Sequence, residues 1–221
     1  MKKMVLLFAL LMTACGSSVH PQFIDTSPTA YIDPSYPTVE SAPLTSSQIS
    51  NGIEVRAERA WRDGKQVNVN VCFTLVDSSD WSIWVASLNY AGGTVVDFGS
   101  TLLNLQEPPA TGQSGLRCDT LTFFDIPPDA DLSSVAITID SIAAQPRAED
   151  YCTIYMPKIQ QALVERGIAI TLGCTDVNGV QTMQILSRPE TMSQEEAEQI
   201  VFSDEFFTVK GPWSFTFNLG Q

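Results

Sequence analysis

The chain has 221 residues, 44% of them hydrophobic, and carries 12 Lys and Arg against 25 Asp and Glu, a net charge of −13 at pH 7. A surface that acidic repels nucleic-acid phosphates and anionic lipid headgroups, which excludes a nucleic-acid partner and a polybasic membrane contact. The apolar share at this length suffices for one sizeable core and excludes disorder for the bulk of the chain.

The first residues are a basic pair, Lys2-Lys3, an apolar run from Met4 to Met12, and the small residues Thr13-Ala14. A helix that crosses a bilayer needs roughly 20 apolar residues, so this run is too short to persist as a span. With Cys15 immediately after it, the segment resembles the export signal of bacterial lipoproteins, with Met12 where the lipobox usually has Leu. The resemblance implies that residues 1–14 are removed and that Cys15 becomes a lipid-modified N-terminus, attaching the chain to the cell membrane and facing outside the cytoplasm. An ordinary secretory cut near Ala14 would leave Cys15 as a lone thiol, an oxidation liability. Each buried acyl CH₂ is worth about 0.8 kcal/mol, so several chains on one cysteine hold firmly to one leaflet. Loss of Lys2 and Lys3 leaves 10 basic against 25 acidic residues, a net charge of −15.

Residues 15–49 hold Pro21, Pro28, Pro34, Pro37 and Pro43 among Ser, Thr and Asp, with no apolar period. This predicts a tether that spans on the order of 30 Å as a coil and lifts the domain at 50–221 off the bilayer.

From Gly52 the period becomes two. Ile53, Val55 and Ala57 alternate with charged residues, and after Asp63-Gly64 so do Val67, Val69, Val71, Phe73 and Leu75 with polar ones, predicting an antiparallel pair. Residues 81–90 and 94–105 read as a hairpin across Gly92-Gly93, and 116–124 and 135–139 as further strands. Residues 147–210 differ. Pro157 suits a first helical turn, Ile159, Ala162 and Leu163 share a face, and Gly167 ends the helix. A hairpin follows around Asn178-Gly179, and Ser193 to Glu196 has capping-box spacing for a short helix. Trp213, Phe215, Phe217 and Leu219 alternate in a last strand. The prediction is a mainly β sandwich with an α/β insertion of helix, hairpin and short helix before the last strand.

Besides Cys15 there are Cys72, Cys118, Cys152 and Cys174, an even number that in an exported chain implies two disulfides with three possible connectivities. Alternation places Cys72 opposite Val71 and Phe73, and Cys118 opposite Leu121 and Phe123, so both sulfurs belong on the outward face of neighbouring strands. That favours Cys72–Cys118. Cys152 and Cys174 flank the helix and the first strand of the inserted hairpin and form the natural second pair, closing a loop of about 20 residues worth about 3 kcal/mol. No CxxC pair occurs, which argues against zinc.

The order Cys72, Trp84, Cys118 resembles that of antibody-type domains, although their bridge is buried between sheets and alternation places this one outward. The ending Gly211-Pro212-Trp213-Ser214-Phe215-Thr216-Phe217 resembles the last strand of immunoglobulin-like domains of unknown function in bacterial surface and anti-sigma-type proteins. What that implies is an immunoglobulin-like, extracytoplasmic interaction or structural module, with no catalytic residues to carry over.

His20 is the only histidine and lies in the predicted tether, so no Ser-His-Asp or Cys-His arrangement is expected in the domain. Phosphate loops, dinucleotide fingerprints and HExxH helices are missing, and no cofactor or catalytic residue is assigned. Paired carboxylates would serve a hydrolase, with Asp97, Asp125, Asp140, Glu149, Asp150, Asp204 and Glu205 as candidates. Asp125, Asp129 and Asp131 offer oxygens for Ca²⁺ without EF-hand spacing, and a polar turn after Pro127-Pro128 is the simpler reading. Trp61, Trp81, Trp84 and Tyr90 are either an aromatic platform or core; apolar residues on both faces around Trp81 and Trp84 favour core. Phe206-Phe207 is expected to seal the short helix. The resulting expectation is a membrane-anchored, non-catalytic module contacting an envelope protein or glycan, with solute or glycan binding and acid-only hydrolysis as alternatives.

Overall fold

The computed structural model describes residues 39–40, 46–107 and 115–220, so Cys15, His20 and the predicted export signal lie outside the described residues. In chain order the strands of the first half are β1 (Val39–Glu40), β2 (Ser46–Ser50), β3 (Ile53–Asp63), β4 (Gln66–Thr74), β5 (Asp80–Tyr90), β6 (Gly93–Val95), β7 (Phe98–Gln106) and β8 (Leu116–Phe123). The second half adds β9 (Val135–Gln145), β10 (Thr171–Val177), β11 (Val180–Ser187) and β12 (Thr208–Phe217). One sheet runs β1-β3-β4-β8-β7, with β2 also on β3, and a second runs β12-β9-β5-β6. Their inward residues, among them Val69, Val71, Phe73, Leu121 and Phe123 from one and Ile83, Leu88, Ile137, Ile139 and Phe215 from the other, form a single buried cluster. The mainly β, antiparallel sandwich expected from alternation is present. Trp213 ties its layers, since its indole N–H donates to the Ile53 carbonyl at 3.1 Å.

Two strands, β1 and β2, lie where the tether was expected and both pair with β3; for β2 the cause is local, since Asn51-Gly52 reverses the chain with φ of 47° and 81° at its two residues. Paired positive φ values make the tight hairpin turn that Asn-Gly favours, and it lays β2 along β3. The hairpin expected over 81–105 is also revised. Only Gly93–Val95 folds back on β5, and the chain then crosses to the first sheet, where β7 pairs with β8. Phe98 reaches the Phe123 ring at 5.7 Å in that position, and joining the core outweighs extending the hairpin.

The insertion has its own core of Tyr155, Ile159, Leu163, Ile170, Leu172, Met183, Ala197 and Val201. Its first helix starts before Pro157: α1 (Ala148–Asp150) continues through a π-helical turn (Tyr151–Tyr155) into α2 (Met156–Glu165). Proline has no N–H and its ring crowds the carbonyl four residues back, and the wider turn just upstream gives it room. The β10–β11 hairpin turns at Asn178-Gly179 with φ of 56° and 84°. Ser193 caps α3 (Gln194–Val201): its hydroxyl accepts from Glu196 N–H at 3.1 Å, and the Glu196 carboxylate accepts from Ser193 N–H at 2.7 Å.

Cys72 is bonded to Cys118 and Cys152 to Cys174. Cys72 and Cys118 stand opposite each other on β4 and β8, pointing away from the sandwich interior, so this bridge stays within one sheet. Both cysteines are nonetheless nearly covered, at 3% and 9% exposure.

Candidate functional site

Three adjacent strands of the second sheet lose register at one level. On β5 Ile83 pairs with Ile142 and Val85 with Ser141, which leaves Trp84 as an extra residue. Ala86 then pairs with Ile139, which leaves Asp140 unpaired on β9. On the far side of β9, Lys210 pairs with Ser141 and Trp213 with Ile139, so Gly211-Pro212 is looped out of β12. Bulges of this kind re-aim side chains and cluster beside functional sites. Here the break shifts the inward set on β5 from Trp81 and Ile83 to Ala86 and Leu88, and the indole of Trp84 turns outward, 60% exposed.

Trp84 lines a groove of about 790 Å³ with Val85, Asp140, Ser141, Gln145, Asp204, Phe207, Thr208 and Lys210. Its floor is the outward face of β5, β9 and β12, and one wall is the segment after α3. That wall is fixed: Ala144 N–H donates to the Phe207 carbonyl at 2.8 Å, and the Phe207 ring lies 4.8 Å from that of Tyr155. Among the described residues, no side-chain partner neutralises Asp140, Asp204 or Lys210. The groove therefore holds a bare aromatic face, two free carboxylates and one free ammonium, a volume and mixture typical of small-ligand sites.

The expected four-residue aromatic platform does not form. Trp81 is buried with its indole N–H on Asp77 at 2.8 Å, Tyr90 packs half-buried on the core, and Trp61 lies on the other sheet beneath the Arg59 guanidinium at 5.0 Å. Trp84, expected in the core, is the exposed one. Of the seven carboxylate candidates Asp140 and Asp204 share the groove; Glu149 and Asp150 pair with Arg147, and Glu205 with Arg166 at 2.6 Å. Asp131 accepts from the backbone N–H of Ser133, and no three acidic, His or Cys side chains among the described residues converge as metal ligands, Asp125, Asp129 and Asp131 included.

A second polar cluster, at the joint between sandwich and insertion, escaped the sequence reading. Asp77 accepts from Ser79 N–H and the Trp81 indole, each at 2.8 Å, and from the Lys158 ammonium of α2 at 2.6 Å. Burial opposes ionisation of Asp77, but the bonds from Lys158, Trp81 and Ser79 outweigh it and hold the carboxyl below its ordinary range. Asp119, fully buried on the inward face of β8, shows the opposite balance: burial raises it despite the Arg117 guanidinium at 3.0 Å. Burial likewise pushes the Tyr155 phenol up to about 12. Each charge here is already matched within the chain, Arg117 by Asp80 and Asp119 and Arg147 by Glu149 and Asp150, so the cluster binds the fold together, while the buried hydroxyls of Ser79 and Tyr155 have no hydrogen-bond partner among the described residues. No family model matches this chain, nor does any curated protein or solved structure.

Proposed function

We propose that this chain is an extracytoplasmic lipoprotein, held at the membrane by acylated Cys15, whose immunoglobulin-like sandwich acts as a non-catalytic interaction module for an envelope component. The observation that carries the reading is the 60% exposure of Trp84 beside a groove with uncompensated polar groups. An aromatic side chain left in water at a concave site is a recurrent anchor for partners, because its large apolar area is gained on contact. Two disulfides accord with an oxidising compartment.

Two measurements test this reading. Cys15→Ala abolishes incorporation of labelled fatty acid and releases the protein from membranes; retained label refutes the anchor. A photo-reactive residue at Gln145 in intact cells captures a partner, and adding Trp84→Ala cuts that yield about tenfold. A second reading, hydrolysis by paired carboxylates, draws on Asp140 and Asp204 sharing the groove. It requires that Asp140→Asn and Asp204→Asn abolish turnover of a glycan while leaving its binding intact.

A further inference from the structure

Resting on the groove being the contact site, we propose that its ligand is a neutral glycan, with a pyranose ring stacked on Trp84 and its hydroxyls shared among Asp140, Asp204, Gln145, Thr208 and Lys210. The chemistry of the lining decides the class. Asp140 and Asp204 only accept hydrogen bonds, Lys210 only donates, and Gln145, Ser141 and Thr208 do both. A hydroxyl both donates and accepts, so a polyol satisfies all of these groups at once. An anionic ligand would meet two free carboxylates on a chain of net charge −13. A cationic ligand would pair with the carboxylates but, being a donor only, would leave the Lys210 ammonium without an acceptor, whereas a polyol serves both. The exposed indole face is electron-rich, and the C–H bonds on the flat side of a sugar ring present weakly positive hydrogens to it. A groove of about 790 Å³ accommodates two or three such rings, roughly the size of a drug-like ligand.

The test uses the full-length protein in detergent micelles and follows the indole N–H resonance of Trp84, assigned by its loss in Trp84→Phe. Cellohexaose, chitohexaose and maltohexaose are the neutral probes and hexalysine is the charged one. At least one neutral probe is expected to move the Trp84 resonance while that of buried Trp213 stays in place. Trp84→Ala weakens this binding about tenfold or more, and Trp84→Tyr, which keeps a stacking ring, within about threefold. Asp140→Asn and Asp204→Asn keep it within about fivefold, because an amide still bonds a hydroxyl. Raising NaCl from about 0.05 to about 0.5 M changes it less than about twofold, since no ion pair forms. If hexalysine alone moves Trp84, and the shift vanishes in salt or in Asp140→Asn, the glycan assignment is overturned while the groove remains the contact site. If no probe moves Trp84, the glycan assignment is overturned, and the Gln145 cross-linking yield in the parent against Trp84→Ala decides separately whether the groove is the contact site.

Discussion

Gly211 stands where no side chain fits. An added Cβ would lie 2.5 Å from the Ile139 carbonyl oxygen and 2.7 Å from the Trp213 ring, and both neighbours are held by the core. Gly211→Ala is therefore expected to lower stability by about 1–3 kcal/mol, read as a fall in the urea midpoint, whereas an unchanged midpoint would mean that β12 yields at this level. Glycine here follows from close approach of the backbone, and nothing in the local sequence announces it. Trp84 was equally hard to read. Period-two alternation assumes that every residue is paired, and one unpaired residue reverses the parity of all that follow. Asp119 is a different case, since alternation with Leu121 and Phe123 already places it inward. What alternation cannot show is the Arg117 partner that makes a buried carboxylate tolerable.

Asp77 joins two elements distant in sequence, the loop before β5 and helix α2. Its carboxyl is depressed below its ordinary 3.8, so the stability it contributes is present above that value and is lost as pH falls through the lower folded-state value. Asp119 runs the other way: being raised, it favours the fold at low pH and costs stability as pH climbs from 3.8 through its folded-state value. Asp77→Asn should cost about 2 kcal/mol at neutral pH, with a gap from the parent that closes as pH drops toward about 2. Urea unfolding across that range measures the gap, and a constant difference would remove Asp77 as an acid-sensitive joint. Elements closed by local chemistry were the most legible ones. Asn178-Gly179 and the Ser193–Glu196 box each act within a few residues, so spacing alone identifies them. The same Asn-Gly signal stands at 51–52, but proline-rich sequence with no apolar period precedes it, so β2 carries no alternation to mark it as a strand.

Across the whole molecule, the sandwich class was readable because alternating strands with turn signals leave few other ways to bury one face each. Sheet membership was not, as β7 shows: periodicity states which residues face inward and says nothing about which strand lies alongside. The two buried clusters are distinct in composition, one filling the sandwich and one the insertion, with Ala144 packed against both. The groove lies where β9 passes between them. Its architecture has a consequence for how such a site can be gained or erased. Trp84, Asp140 and the Gly211-Pro212 pair are surplus to the ladder. Excising these four residues would bring Ile83 within two positions of Ala86, Ile139 within two of Ile142, and Val209 within two of Trp213, leaving an uninterrupted pleat. A shortened chain of that design should retain its near-ultraviolet dichroism and its cooperative melt while ignoring every saccharide offered, because recognition resides in additions to the framework and the framework is whole without them.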